Sequence, residues 1–192
     1  MGYIPLRHCR KVSLEELQEI AEDAKGEISK VYAHWTAGRY SQAFDDYHIL
    51  IDYDGSVHVT TNDLTEYKEH TWHRNWKAVG VALMCAYEAI ANDGRDADLG
   101  SCPPTPAQIE ALAQVTAVLS DALGLEIARC NFMTHCEAAF EDDYGPYSGD
   151  PQTRWDLWYL PDVYNGGRMK LGGDLWRGKA AFYKNQWGKR GD

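Results

Sequence analysis

His34 closes a short aromatic and β-branched run, in His34-Trp35-Thr36-Ala37-Gly38, and His135 closes another, in Phe132-Met133-Thr134-His135. Side chains at strand ends project from the rim of a sheet, so the two imidazoles converge if their strands are neighbours. Asp150 follows in Ser148-Gly149-Asp150-Pro151, where the proline stiffens the loop. Two imidazoles and a carboxylate with one open position form the ligand set of a hydrolytic zinc site, which polarises a carbonyl and lowers the pKa of bound water to around 7. A lone histidine would carry no such weight, because most are structural or merely exposed.

The elements that must position these groups are readable in outline. Ser13 with Glu16 is a capping-box pair, and Leu14, Leu17, Ile20 and Ala21 follow at helical spacing, which predicts a helix over 13–25 closed by Gly26. Val31–Thr36 reads as a strand. His48–Tyr53 and Ser56–Thr61 alternate on either side of Asp54-Gly55, a pair suited to a tight hairpin. Val79–Cys85 is an unbroken apolar run of the kind buried on both faces of a helix-covered sheet. Thr105, Pro106 and Gln108 start a second helix, with Ile109, Leu112, Thr116, Leu119 and Leu123 on one face and Gly124 at its end. Ala128–Thr134 reads as the last strand, Thr153–Leu160 as a short helix stopped by Pro161, and Asn165–Gly173 as loop. Trp176, Phe182 and Trp187 predict a tail that packs back on the rest. Strands interleaved with helices, one hairpin among them, imply an α/β fold in which helices flank a central mixed sheet. With no repeat and no long linker, 1–192 reads as one domain with its core over about 30–160 and its tail over 161–192.

Composition narrows the function. The 192 residues are 44% hydrophobic and 25% charged, with 19 Lys and Arg against 29 Asp and Glu. A net charge of −10 argues against nucleic acid as partner, because phosphate binding depends on clustered cations. The five cysteines form no C-x-x-C pair, which points to neither a disulfide framework nor a zinc knuckle, and to a reducing site of synthesis. The first twenty residues lack the apolar core of a signal peptide, and no run reaches transmembrane length. The expectation is synthesis in the cytoplasm, no membrane insertion, and access to any outside target through another agent.

Taken in order, His34-x-Thr36-x-Gly38, Tyr47-His48-Ile49-Leu50-Ile51-Asp52 with Asp54-Gly55, His70 ahead of Val79-Gly80-Val81, Thr105-Pro106-x-Gln108, His135, and Asp150-Pro151 with Asp156 resemble the zinc-dependent N-acetylmuramoyl-L-alanine amidases. That fold is shared with peptidoglycan recognition proteins and small phage amidases. The resemblance implies zinc held by His34, His135 and Asp150, with peptidoglycan or a muropeptide as substrate. It implies hydrolysis of the amide between the lactyl group of N-acetylmuramic acid and L-alanine, most simply in a phage or prophage endolysin. A muropeptide-recycling enzyme of the cytoplasm and a weakly catalytic or non-catalytic muropeptide-binding module are the alternatives.

The same resemblance gives Tyr47 as the tyrosine that assists hydrolysis, and Trp35, His70, Trp72 and Asn75 as substrate contacts. Two departures bear on mechanism. Ala82 stands where the cytosolic branch has an acidic residue, and Ser148 stands where several members place a lysine or threonine. Arg154 is the candidate for the missing cation, since its guanidinium stays charged. Glu137, two residues after His135, is the candidate general base if Tyr47 is not.

Overall fold

Strand β3 (Lys30–Trp35) runs parallel to β7 (Ala78–Leu83) on one side and to β8 (Phe132–Thr134) on the other. The computed structural model describes residues 2–151 and 153–187, Trp187 by its backbone alone. In chain order its elements are β1 (Tyr3–Ile4), β2 (Arg10–Val12), α1 (Leu14–Glu22), β3, β4 (Ala43–Phe44), β5 (Ile49–Ile51), β6 (Val57–Val59), β7, α2 (Pro106–Leu123), β8, α3 (His135–Glu141), β9 (Tyr159–Asp162), β10 (Arg168–Leu171) and α4 (Gly172–Trp187). The central sheet has six strands in the order β2-β6-β5-β7-β3-β8. Its β5-β7-β3-β8 part is parallel and its β2-β6-β5 part antiparallel, so the sheet is mixed as the hairpin implies.

The starts of α1 and α2 are built from their own sequence. Ser13 caps α1 and Thr105 caps α2, each in a complete capping box with Glu16 and Gln108 respectively, and Gly124 ends α2 in the left-handed region at φ 69°. The Gln108 side chain also donates to the carbonyls of Ile51 and Met84, both at 3.1 Å, and so ties α2 to the sheet. Alternation then divides the strands between two faces. Val31, Ala33, Trp35, Val79, Val81 and Leu83 join one core with Leu17 and Ile20 of α1 and Ile109, Leu112 and Leu119 of α2. Tyr32 and Met133 pack on the opposite face, against Ala138 of α3.

The C-terminal third departs from the sequence reading. The region 153–160 is not helical: Leu157 takes φ 58°, which breaks a helix, and Tyr159 begins a strand. The segment read as loop contains β10, paired antiparallel with β9 through a turn at Gly166-Gly167, whose φ values are 69° and 74°. Pro161 is tolerated because this hairpin is a separate two-stranded sheet with open edges. The tail forms α4, whose Trp176 is fully buried and donates Nε1–H to Thr116 Oγ1 on α2 at 2.8 Å. Phe182 is exposed rather than packed, and the Trp187 side chain and residues 188–192 lie outside the described residues.

Candidate metal centre

The strand register brings the two imidazoles together. Ala33 pairs with Thr134 across β3 and β8, so the residue after each, His34 on β3 and His135 just past β8, meets the other at the sheet's end. His34 faces away from the α1 and α2 core, since its neighbours Ala33 and Trp35 both belong to that core. His135 is not the end of the strand but the first residue of α3. Thr134 is the N-cap, its hydroxyl accepting from Glu137 N–H at 3.1 Å while Glu137 Oε2 accepts from Thr134 N–H at 2.9 Å. Thr134-x-x-Glu137 is thus a capping box that the sequence displays and the strand reading passed over.

The carboxylate that completes the group is Asp156, not Asp150. His34 Nδ1 lies 3.1 Å from His135 Nδ1, and Asp156 Oδ2 lies 3.6 Å from the first and 3.4 Å from the second. These are the only three such side chains, among the described residues, close enough to share an ion. Asp150 is exposed on a tight turn, its N–H on Ser148 Oγ at 3.1 Å and its carbonyl accepting from Thr153 N–H at 3.2 Å. The chain comes back to the imidazoles only after that turn. There Trp155 stands edge-on to Trp35 at 4.7 Å, and the Asp156 carbonyl accepts from Cys136 N–H at the start of α3 at 3.3 Å.

Electrostatics suits the set to a metal. Burial pushes the His34 pKa down to about 4, leaving a neutral ring with a lone pair to give. Burial alone would raise the Asp156 carboxyl, but His135, by charge and hydrogen bond, and then His34 outweigh it, and the group stays ionised. Four-coordinate zinc with ligands at about 2.0–2.1 Å needs donor atoms about 3.3 Å apart. The three distances bracket that value, so the donor chemistry and spacing both fit.

Behind His34 lies a supporting layer. Its Nε2 is 3.3 Å from both Thr71 Oγ1 and His70 Nδ1, and those two are 2.9 Å from each other. His70 is buried behind His34 while still lining the cleft, and Gly80 makes the room: a Cβ there would come within 2.7 Å of the His70 ring. Asn75 holds this turn, its Oδ1 accepting from Thr71 N–H at 2.8 Å and from His70 N–H at 3.2 Å.

Glu137 is not placed to act as a base. Besides capping α3 it takes both arms of the Arg177 guanidinium, at 2.7 and 2.8 Å, and Arg177 also reaches the Phe132 carbonyl at 3.1 Å. Burial works to raise its pKa, yet the Arg177 pair keeps it below the ordinary range. Arg177 thereby braces the β8–α3 junction that carries His135. No signal local to residues 132–141 reveals this partner, which arrives from α4.

The remaining candidates line one cleft of about 1090 Å³, whose wall also includes His135, Asp156, His70, Asn75 and Asp150. Tyr47 is buried with its ring 5.1 Å from that of His34, and burial raises its phenol pKa strongly. Trp35, Trp72 and Arg154 also line the cleft, Trp72 being 60% exposed at its mouth. Ala82 pairs with His34 across β3 and β7, so β7 supplies no carboxylate at that point. A groove of similar size, about 1130 Å³, lies between α4 and the β9–β10 hairpin, away from the metal-ligating group.

An α/β fold with a His-His-Asp group at the ends of two parallel strands is an arrangement suited to a metallohydrolase. The family model for N-acetylmuramoyl-L-alanine amidase matches residues 24–151, and the chain belongs to that family of peptidoglycan-cleaving hydrolases. Among curated proteins none gives a significant match. The matched span includes His34, His135 and Asp150 but stops short of Asp156 and Arg177. No described helix is long and apolar enough to cross a membrane.

Proposed function

We propose that the protein is a zinc-dependent N-acetylmuramoyl-L-alanine amidase in which His34 Nδ1, His135 Nδ1 and Asp156 Oδ2 hold the ion. The carrying observation is the spacing of those three buried donors, 3.1, 3.4 and 3.6 Å, at the foot of a cleft large enough for a muropeptide. Zinc, when bound, supplies Lewis acidity toward the scissile carbonyl and acidity to water. The chain does the rest. For His34 to ligate through Nδ1 its proton must sit on Nε2, where Thr71 Oγ1 accepts it and the Thr71 hydroxyl donates onward to His70 Nδ1. The ionised Asp156 offsets positive charge in a buried site.

Tyr47 keeps its proton because burial disfavours the phenolate, so it acts as a hydrogen-bond donor above His34. Arg154, on the cleft wall and near enough to Tyr47 to favour its ionised form, supplies fixed positive charge where the tetrahedral oxyanion develops. Trp72 at the mouth and Trp35 at the wall offer apolar surface to sugar or peptide. The retained donor set favours catalysis over mere muropeptide binding. Digestion of purified peptidoglycan should release stem peptides with a new L-alanine amino terminus and leave glycan strands intact, as read by mass spectrometry. New reducing ends without free alanine amines would refute it. The endolysin role is supported by the resemblance to phage amidases, and clearing of permeabilised bacterial suspensions by the pure protein tests it.

A further inference from the structure

The cleft holds a second phenol that the steps above leave unused. Tyr144 follows α3, its N–H on the Ala139 carbonyl at 2.9 Å and its own carbonyl accepting from Arg154 N–H at 3.2 Å. Its loop is thus tied to the helix that carries His135 and to the segment that carries Asp156. The ring packs edge-on against Trp72 at 5.5 Å and stands 6.0 Å from the His135 ring. Tyr144 is 7% exposed and lines the cleft, yet its hydroxyl oxygen is buried without a hydrogen bond to any described residue.

Buried tyrosines ordinarily place the O–H on a partner, and a buried donor left without one costs stability. His58 Nδ1 and His70 Nε2 are also unpartnered; His58 does not line the cleft, whereas His70 does, on the His34 side. Tyr144 differs from His70 in standing beside His135, its side chain lining the cleft with a hydroxyl that no described residue engages. Together the two tyrosines flank the imidazole pair, Tyr47 beside His34 and Tyr144 beside His135.

We propose that Tyr144 is a catalytic residue: its phenol donates a hydrogen bond to the carbonyl oxygen of the scissile amide on the His135 side and keeps its proton throughout. This assignment rests on the amidase reading and adds to it a donor the family resemblance does not supply. The orphaned hydroxyl is then a cost carried by the free protein and relieved when substrate binds.

Tyr144→Phe removes only that oxygen. The variant should melt higher by a few degrees, in line with the roughly 2–4 °C per kcal/mol of a chain this size. Its kcat/KM on a soluble muramoyl-peptide should fall by about 10²-fold, as for loss of one oxyanion donor, with zinc content unchanged. A hydroxyl with a structural partner would give the opposite change in melting. A variant that melts lower, or that turns over at the parental rate while the parent cleaves, overturns the role of Tyr144 and leaves the amidase reading standing. A parent that holds zinc but cleaves no muramoyl-alanine bond overturns both.

Discussion

Nδ1 of His34 and Nδ1 of His135 stand 3.1 Å apart in a buried site, a separation at which the two rings cannot both direct protons at each other. In the absence of an ion one lone pair takes the other ring's proton or Asp156 does. With an ion, both lone pairs and the carboxylate have a common partner. The register Ala33–Thr134 sets this proximity, so it belongs to the sheet rather than to flexible side chains.

The first prediction separates the two aspartates. Asp156→Ala should lose stoichiometric zinc and all activity, because Asp156 Oδ2 is the third donor in the proposed site, whereas Asp150→Ala should retain about one zinc per chain. Metal analysis of the purified variants checks this. Retained zinc in Asp156→Ala with loss in Asp150→Ala would restore the assignment that the sequence resemblance implies.

Why the resemblance led to Asp150 is a physical matter. Asp150 and Asp156 lie in one short segment, and which of them reaches the imidazoles depends on the turn over 148–153 and on the seating of Trp155 against Trp35. Neither leaves a periodic trace. His34 and His135, by contrast, were legible because strand ends adjoin turns, and the hairpin at Asp54-Gly55 and the α2 cap at Thr105 rest on local chemistry that sequence displays directly. Glu137 is the opposite case: its local signal, a capping box with Thr134, is present in the sequence, but its salt bridge comes from Arg177, far along the chain. The burial of His70 follows from the missing side chain of Gly80, a contact between segments that neither displays on its own.

A second prediction concerns Arg154. If it stabilises the oxyanion, Arg154→Ala should lower turnover by roughly 10²–10³-fold with zinc retained, and Ser148→Ala should do much less. Steady-state rates with parallel metal analysis decide it. Parental turnover in a zinc-loaded Arg154→Ala protein would reduce the residue to a surface contact worth at most about 1 kcal/mol.

Thr71 gives a third. Replacing its hydroxyl by a methyl in Thr71→Val keeps the volume but leaves His34 Nε2–H with His70 as its sole nearby acceptor. Zinc affinity, measured by competition with a chelating dye, should weaken by about 10–100-fold, the usual effect of removing an outer partner of a ligating histidine. Thr71→Ser should stay near the parent. Equal affinity in all three proteins would show that the hydroxyl does not orient the ring.

The last prediction is one of pH and stability, and it concerns His48. Gly80 N–H donates to its Nδ1 at 3.0 Å and its own Nε2–H donates to the Glu66 carbonyl at 2.8 Å, so both nitrogens are used by the neutral ring. Burial holds its pKa down to about 4, against about 6.5 in an unfolded chain. Between those values the unfolded state binds the proton and the folded state does not. Stability is therefore full above about pH 6.5 and falls as pH drops toward about 4, by up to roughly 3 kcal/mol from this group. Denaturant titrations at a series of pH values should show a shallower decline in His48→Gln, by up to one proton across that window, although the variant starts from lower stability. Identical slopes in parent and variant would mean that His48 titrates alike in both states, which its two hydrogen bonds and complete burial contradict.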